Sequence, residues 1–233
     1  MPASDTRSCE PASGLPAIFV VGAGGFGAEI VDYLQHVLDR AATPAYAIAG
    51  VVDDHVAGPP PEQVGGVPFR GRIADVADTP SARFVVAAGA PRFRRETIEQ
   101  LRALGLPLHT LVHPTALVSA SAQVGEGSVI APFSIVNANA RVGAGCVLNV
   151  YCSVGHDAVL GDFSVLSPYA AMNGWSSVGA QSFLGTRATV FPRVKVGERC
   201  TIDSHSYAKA DTGDRMIISA RGEYRVLSNR LEK

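Results

Sequence analysis

The sequence is poor in charge and has no excess of either sign: Lys, Arg, Asp and Glu make up 18% of its residues and leave a net −1. A chain so balanced carries no basic stripe for a phosphodiester backbone, which argues against nucleic acid as a partner. Its four cysteines, Cys9, Cys146, Cys152 and Cys200, contain no CxxC pair, so the spacing calls for no zinc or other metal site and no disulfide framework. A reduced, cytoplasmic setting fits that usage. Residues 1–16 lack the basic and apolar segments of a secretory signal and read as a disordered tail. No apolar run approaches the roughly 20 residues needed to span a bilayer, so membrane insertion is not expected.

What is present is 47% hydrophobic residues and 24 glycines in 233 residues, enough for two modest domains. From Val118, every sixth residue through Val124, Ile130, Val136 and onward to Ile202 is aliphatic or Met, without a slip. Four residues after each comes a nearly always small residue, from Ala122 and Ser128 through Cys146, Cys152 and Cys200 to Ser206. A strand alternates with period two and a helix repeats near 3.6, so a strict period of six fits neither. It fits short strands joined by bends. Gly or Asn commonly follows the aliphatic residue, as at Gly125, Gly143, Gly155, Asn137 and Asn149, and these residue types tolerate unusual turn dihedrals. Three hexads per triangular coil make about five coils of a parallel β-helix, with the small cysteines as interior filler.

Ahead of the repeat, Ala17 to Val21 reads as an apolar strand, Gly22-Ala23-Gly24-Gly25-Phe26-Gly27 as a glycine turn, and Ala28 to about Leu38 as a helix. Glycines there let backbone approach a phosphate while the helix N-terminus offers N–H donors. A second strand ends in Asp53-Asp54, and a third, Arg83 to Ala88, precedes a helix beginning near Phe93. The expected unit is a small Rossmann-like parallel α/β domain. A dinucleotide dehydrogenase is disfavoured, because a repeat array follows instead of a catalytic domain.

The glycine-turn domain, then His113-Pro114-Thr115-Ala116, then Val154-Gly155-His156-Asp157 with Leu160-Gly161-Asp162, resembles the hexapeptide-repeat family of sialic-acid O-acetyltransferases and bacterial nucleotide-aminosugar N-acetyltransferases. The resemblance runs from about Ala17 to Ser206. It implies a nucleotide-sugar-binding domain over residues 17–113, a left-handed β-helix over 114–207, a C-terminal extension over 208–233, a homotrimer, and acetyl-CoA as co-substrate lying near a subunit junction. It implies N-acetylation of a nucleotide-linked amino sugar for polysaccharide synthesis, a 4-amino-4,6-dideoxy sugar above others.

Carried over by motif, His156 is the general base and Asp157 the acid that orients it. An imidazole suits the removal of a proton from an attacking amine, although His156 also reads as a polar turn residue on the coil surface. Asn149 matches a substrate-positioning asparagine and equally a turn asparagine. Gly174 matches a backbone donor to the thioester oxygen of acyl-CoA. The nucleotide site would use Gly22, Gly24, Gly25, Asp53 and Asp54, with Arg94 toward phosphate, though the two acids also read as solvated loop residues and Arg92, Arg94 and Arg95 as an exposed helix start. Phe26 stands where many relatives carry a histidine beside the sugar. The C-terminal stretch Ser219-Ala220-Arg221-Gly222-Glu223-Tyr224 replaces the family's CoA-holding segment. Sugar O-acetylation, a trimeric zinc hydratase and a silent nucleotide-sugar-binding trimer are the competing readings. The 49 residues between His156 and His205, not a multiple of an 18-residue coil, speak against stacked metal ligands.

Overall fold

In a computed structural model of the chain, residues 14–220 are described. Cys9, most of the expected tail and the sequence from Arg221 onward lie outside the described residues.

The first layer is built on β1 (Ala17–Val21), five apolar residues that are all buried, as expected of a central parallel strand. The chain passes through the glycine turn into α1 (Gly25–Arg40) and returns as β2 (Ala47–Val52), parallel to β1. A hairpin, β3 (Gln63–Val64) and β4 (Val67–Pro68), and the short α2 (Ile73–Val76) lead to β5 (Ala82–Val86) on the other side of β1, followed by α3 (Pro91–Ala103). The strand order is β2-β1-β5. The connection changes sides at β1, which opens a crevice at the carboxyl ends of β1 and β5. Helix α1 buries Gly27, Ile30, Val31 and Leu34, the one-sided spacing of an amphipathic helix. Pro91 opens α3, where its missing N–H costs nothing.

The second layer is a parallel β-helix of three faces, carrying seven, six and five two-residue strands. Partners along each face are 18 residues apart, as in Ile135↔Ser153↔Ala171. The aliphatic and small series meet inside: Val136, Leu148, Val154, Leu166, Ala140, Cys146, Cys152 and Ala170 belong to one buried cluster. The array is longer than the hexads from Val118 indicate. It begins at Leu111–Val112, one hexad before Val118, and closes at Ile217–Ile218, about six turns in place of five; the last strand pairs with Thr201–Ile202 at a spacing of 16 residues, which takes it out of the six-residue series.

The bends differ from the expectation in a physically informative way. Left-handed φ falls three residues after the aliphatic residue, at Gly127, Phe133, Asn139, Gly145, Tyr151, Asp157, Tyr169, Trp175 and Arg193 among others, and not at the glycines that directly follow it. The glycines serve close packing between coils. Gly125, Gly143, Gly161, Gly179 and Gly197 line the corner after the five-stranded face, where a Cβ would strike the backbone, or its aspartate side chain, one coil on.

The layers join through the outward residues of the seven-stranded face. Leu111, Val129, Val147 and Val165 repeat every 18 residues and are buried in one cluster with Ile30, Val31 and Leu34 of α1. An outward position accepts almost any residue only where it meets water; this face does not.

Candidate active site

His156 stands at the corner between the six- and five-stranded faces, in the bend between Ser153–Val154 and Val159–Leu160. The next residue, Asp157, takes φ 57°, and this left-handed turn brings the two side chains to the same side where a continuous strand would part them. Asp157 Oδ2 lies 3.0 Å from His156 Nδ1, and its Oδ1 accepts from Asn139 Nδ2 at 3.1 Å. These hydrogen bonds, that of His156 first, hold the Asp157 carboxyl below its usual range. An ionised carboxylate only accepts, so Nδ1 carries the hydrogen, and the neutral ring has its lone pair on Nε2.

Gly174 lies one coil further on, beneath that ring, where an added Cβ would stand 2.6 Å from His156 Nε2. Its N–H meets no acceptor among the described residues and stays available as a donor. The His156 side chain is 50% exposed, so half of it stays open to solvent among the described residues.

A second site occupies the crevice of the α/β layer, a cleft of about 380 Å³ lined by Gly22, Gly24, Asp53, Asp54 and, from α3, Phe93 and Gln100. Gly22 has φ 126°, and Gly27 must lack a side chain because a Cβ there would strike the Gly22 carbonyl. Gly24 and Gly25 face open space at the N-terminus of α1, which has no side-chain cap. Asp53 and Asp54 are not merely solvated loop acids. Asp53 Oδ2 accepts from Ala23 N at 2.8 Å, fastening the glycine turn to the end of β2, while Asp54 accepts from Ile73 N at 2.9 Å and from Gln100 Nε2 at 2.8 Å. Phe26, on the first turn of α1, packs against the cluster joining the layers.

Two expected residues are placed elsewhere. Arg94 is completely buried and reaches no ligand surface: it donates to the carbonyls of Val86, Gly145 and Gly127, the last at 2.8 Å. Burial lowers its guanidinium to about 10, which leaves it charged at neutral pH. It is a cross-layer clasp, not a phosphate ligand. Asn149 sits at the corner between the seven- and six-stranded faces, not the corner of His156, and its Oδ1 accepts from Val150 N at 2.8 Å.

Sequence reading missed Phe93 and Gln100 in the cleft, and Trp175 beside His156. The signal for Trp175 was available: it lies 18 residues after Asp157, one coil exactly in register with it on the same corner. No group of three or more His, Cys, Asp or Glu among the described residues is placed to hold a metal.

A hexapeptide β-helix joined to a small α/β layer is the architecture this chain shares with solved acetyltransferases, and the chain is an acyltransferase. Residues 17–101 match the family described as the PglD N-terminal domain. Among solved structures, the acetyltransferase domain of PglB from Neisseria gonorrhoeae FA1090, in complex with acetyl coenzyme A, is 30% identical, with a TM-score of 0.75 over 89% of this chain and 97% of that one. Perosamine N-acetyltransferase from Caulobacter crescentus, seen as a histidine-to-asparagine variant with CoA and GDP-perosamine, is 26% identical, with a TM-score of 0.79 over 89% of this chain and 97% of that one. WeeI from Acinetobacter baumannii AYE, at 20% identity and a TM-score of 0.77 over 88% of this chain and 96% of that one, shares the fold. No curated protein matches the chain by sequence. The chain belongs to the hexapeptide-repeat sugar acetyltransferase family.

Proposed function

We propose that the protein is an acetyl-CoA-dependent N-acetyltransferase of a nucleotide-linked amino sugar, a 4-amino-4,6-dideoxy sugar destined for polysaccharide. The observation that carries the reading is the His156 imidazole, fixed through Nδ1 by Asp157 and lying with Nε2 over Gly174. The sugar amine attacks the thioester carbonyl carbon while His156 Nε2 takes the amine proton. The carbonyl oxygen gains negative charge toward the Gly174 N–H. Collapse of the tetrahedral species forms the amide, breaks the C–S bond, and returns the proton from His156 to the departing thiolate. No covalent enzyme intermediate is required.

The nucleotide fits the α/β cleft, its phosphates toward Gly24 and Gly25 at the open N-terminus of α1. That cleft is lined by the first layer alone, while His156 waits half-exposed at a distant corner of the coil. The two halves are completed by assembly, a homotrimer in which the cleft of one protomer faces the His156 corner of its partner, with acetyl-CoA along the junction. Asn149, at another corner, would enter the site from a partner copy. The use of acetyl-CoA and a nucleotide sugar supports a cytoplasmic enzyme. No helix among the described residues is long and apolar enough to cross a membrane.

The test is thiol release from acetyl-CoA with UDP-, dTDP- and GDP-linked 4-amino sugars. Turnover with an amino sugar, reduced about 10²- to 10⁴-fold in His156→Ala, is expected. Turnover only with hydroxyl acceptors would make the enzyme an O-acetyltransferase, and none with any acceptor would leave a nucleotide-sugar-binding protein.

A further inference from the structure

We propose that Trp175, braced by Arg193, is a positioning residue that holds the His156 imidazole in its reactive orientation; the proposal rests on the reading of His156 as general base. Asp157, Trp175 and Arg193 occupy one corner on three successive coils, each at the left-handed turn position. The register is locked by backbone, because Trp175 N donates to His156 O at 3.0 Å and Arg193 N donates to Gly174 O at 3.1 Å. The Trp175 and His156 rings meet at 4.3 Å between centroids and 88°, the edge-on geometry that aromatic quadrupoles favour. The Arg193 guanidinium lies over the indole at 4.4 Å, a cation on an aromatic face.

The imidazole is therefore bounded on three sides: Asp157 at Nδ1, Gly174 beneath Nε2, and the indole against the ring. Asp157 alone leaves the ring free to swing about its single hydrogen bond, since the side chain is half exposed. Trp175 is the only tryptophan in the chain and is 50% exposed at a left-handed turn position. Another corner carries Phe133, Tyr151 and Tyr169 at that position, with Arg187 over Tyr169, so what sets Trp175 apart is the histidine at its edge. Asn139 occupies the same turn position one coil before Asp157 without any aromatic ring. The ring contacts of the indole at that position are with His156 and Arg193. A base takes a proton only as the bond to carbon forms, so its orientation acts on turnover and not on substrate capture.

The experiment compares the full chain with Trp175→Ala and Trp175→Phe, reading kcat, KM for the amino sugar, the thermal midpoint, and the His156 ring protons by NMR without substrate. Trp175→Ala is expected to lower kcat about three- to tenfold, to leave KM within about twofold, and to move the His156 ring-proton shifts as the indole ring current is lost; Trp175→Phe recovers most of the rate. Unchanged kcat overturns the proposal, as does a loss confined to KM, or a loss that follows the thermal midpoint and is not recovered by phenylalanine. If the wild type turns over no acceptor, it is the reaction assignment that fails, and unchanged His156 ring-proton shifts in Trp175→Ala would still overturn the contact on which the positioning role depends.

Discussion

At the scale of single residues, the candidate site is set by what is missing as much as by what is there. Gly174 makes the point. A Cβ at this position would meet the far end of an exposed side chain, His156 Nε2 at 2.6 Å, and not backbone. A side chain that can swing away gives little resistance, so Gly174→Ala is expected to change stability by under about 1 kcal/mol while displacing the imidazole and reducing kcat by at least about tenfold. Paired thermal melts and thiol-release kinetics check this, and equal loss in both would show that Gly174 shapes the coil instead. The histidine–aspartate pair was legible in the sequence as a motif, but not the reason that neighbouring residues can share a face. That reason is the left-handed φ of Asp157, which follows from its position in the hexad.

At the scale of the element, the six-residue period specifies the coil so strongly because inside and outside are chemically distinct at two positions of every six. What the period does not reveal is which corner is tightest. The glycines read as dihedral devices turn out to be contact devices, confined mainly to the corner after the five-stranded face. Gly179 tests the distinction, for a Cβ there would lie 2.5 Å from Glu198 N and 2.6 Å from Gly197 C, both backbone. Gly179→Ala is expected to cost at least about 2 kcal/mol, measured by denaturant unfolding. Gly213→Ala, where a Cβ meets nothing within 4 Å, serves as the control and should leave the midpoint nearly unchanged. On dihedral grounds alone alanine would be tolerated at Gly179, whose φ is not in the left-handed region, so a loss there reports the contact.

At the scale of the whole molecule, the question is what makes a repeat array and an α/β layer behave as one body. The apolar stripe Leu111, Val129, Val147 and Val165 was visible as an 18-residue spacing, and reading it needed only the idea that one outward face is covered. Arg94 had no such signal. Its partners Gly127 and Gly145 lie 33 and 51 residues away and become neighbours only when two successive coils present their carbonyls to α3. A charge among apparently exposed arginines reads as a surface group until tertiary structure buries it. Its burial is compensated by carbonyl acceptors alone, so removing it leaves those carbonyls dry and unpaired, at about 1–3 kcal/mol each. Arg94→Met keeps the approximate volume and deletes the hydrogen bonds to Val86, Gly127 and Gly145. The expected loss is at least about 3 kcal/mol, which lowers the midpoint by roughly 6–12 °C for a chain of this size. Because the clasp spans both layers, that loss should also separate one cooperative melt into two, the α/β layer unfolding first. A single transition at the wild-type temperature would mean that the apolar stripe couples the layers without Arg94.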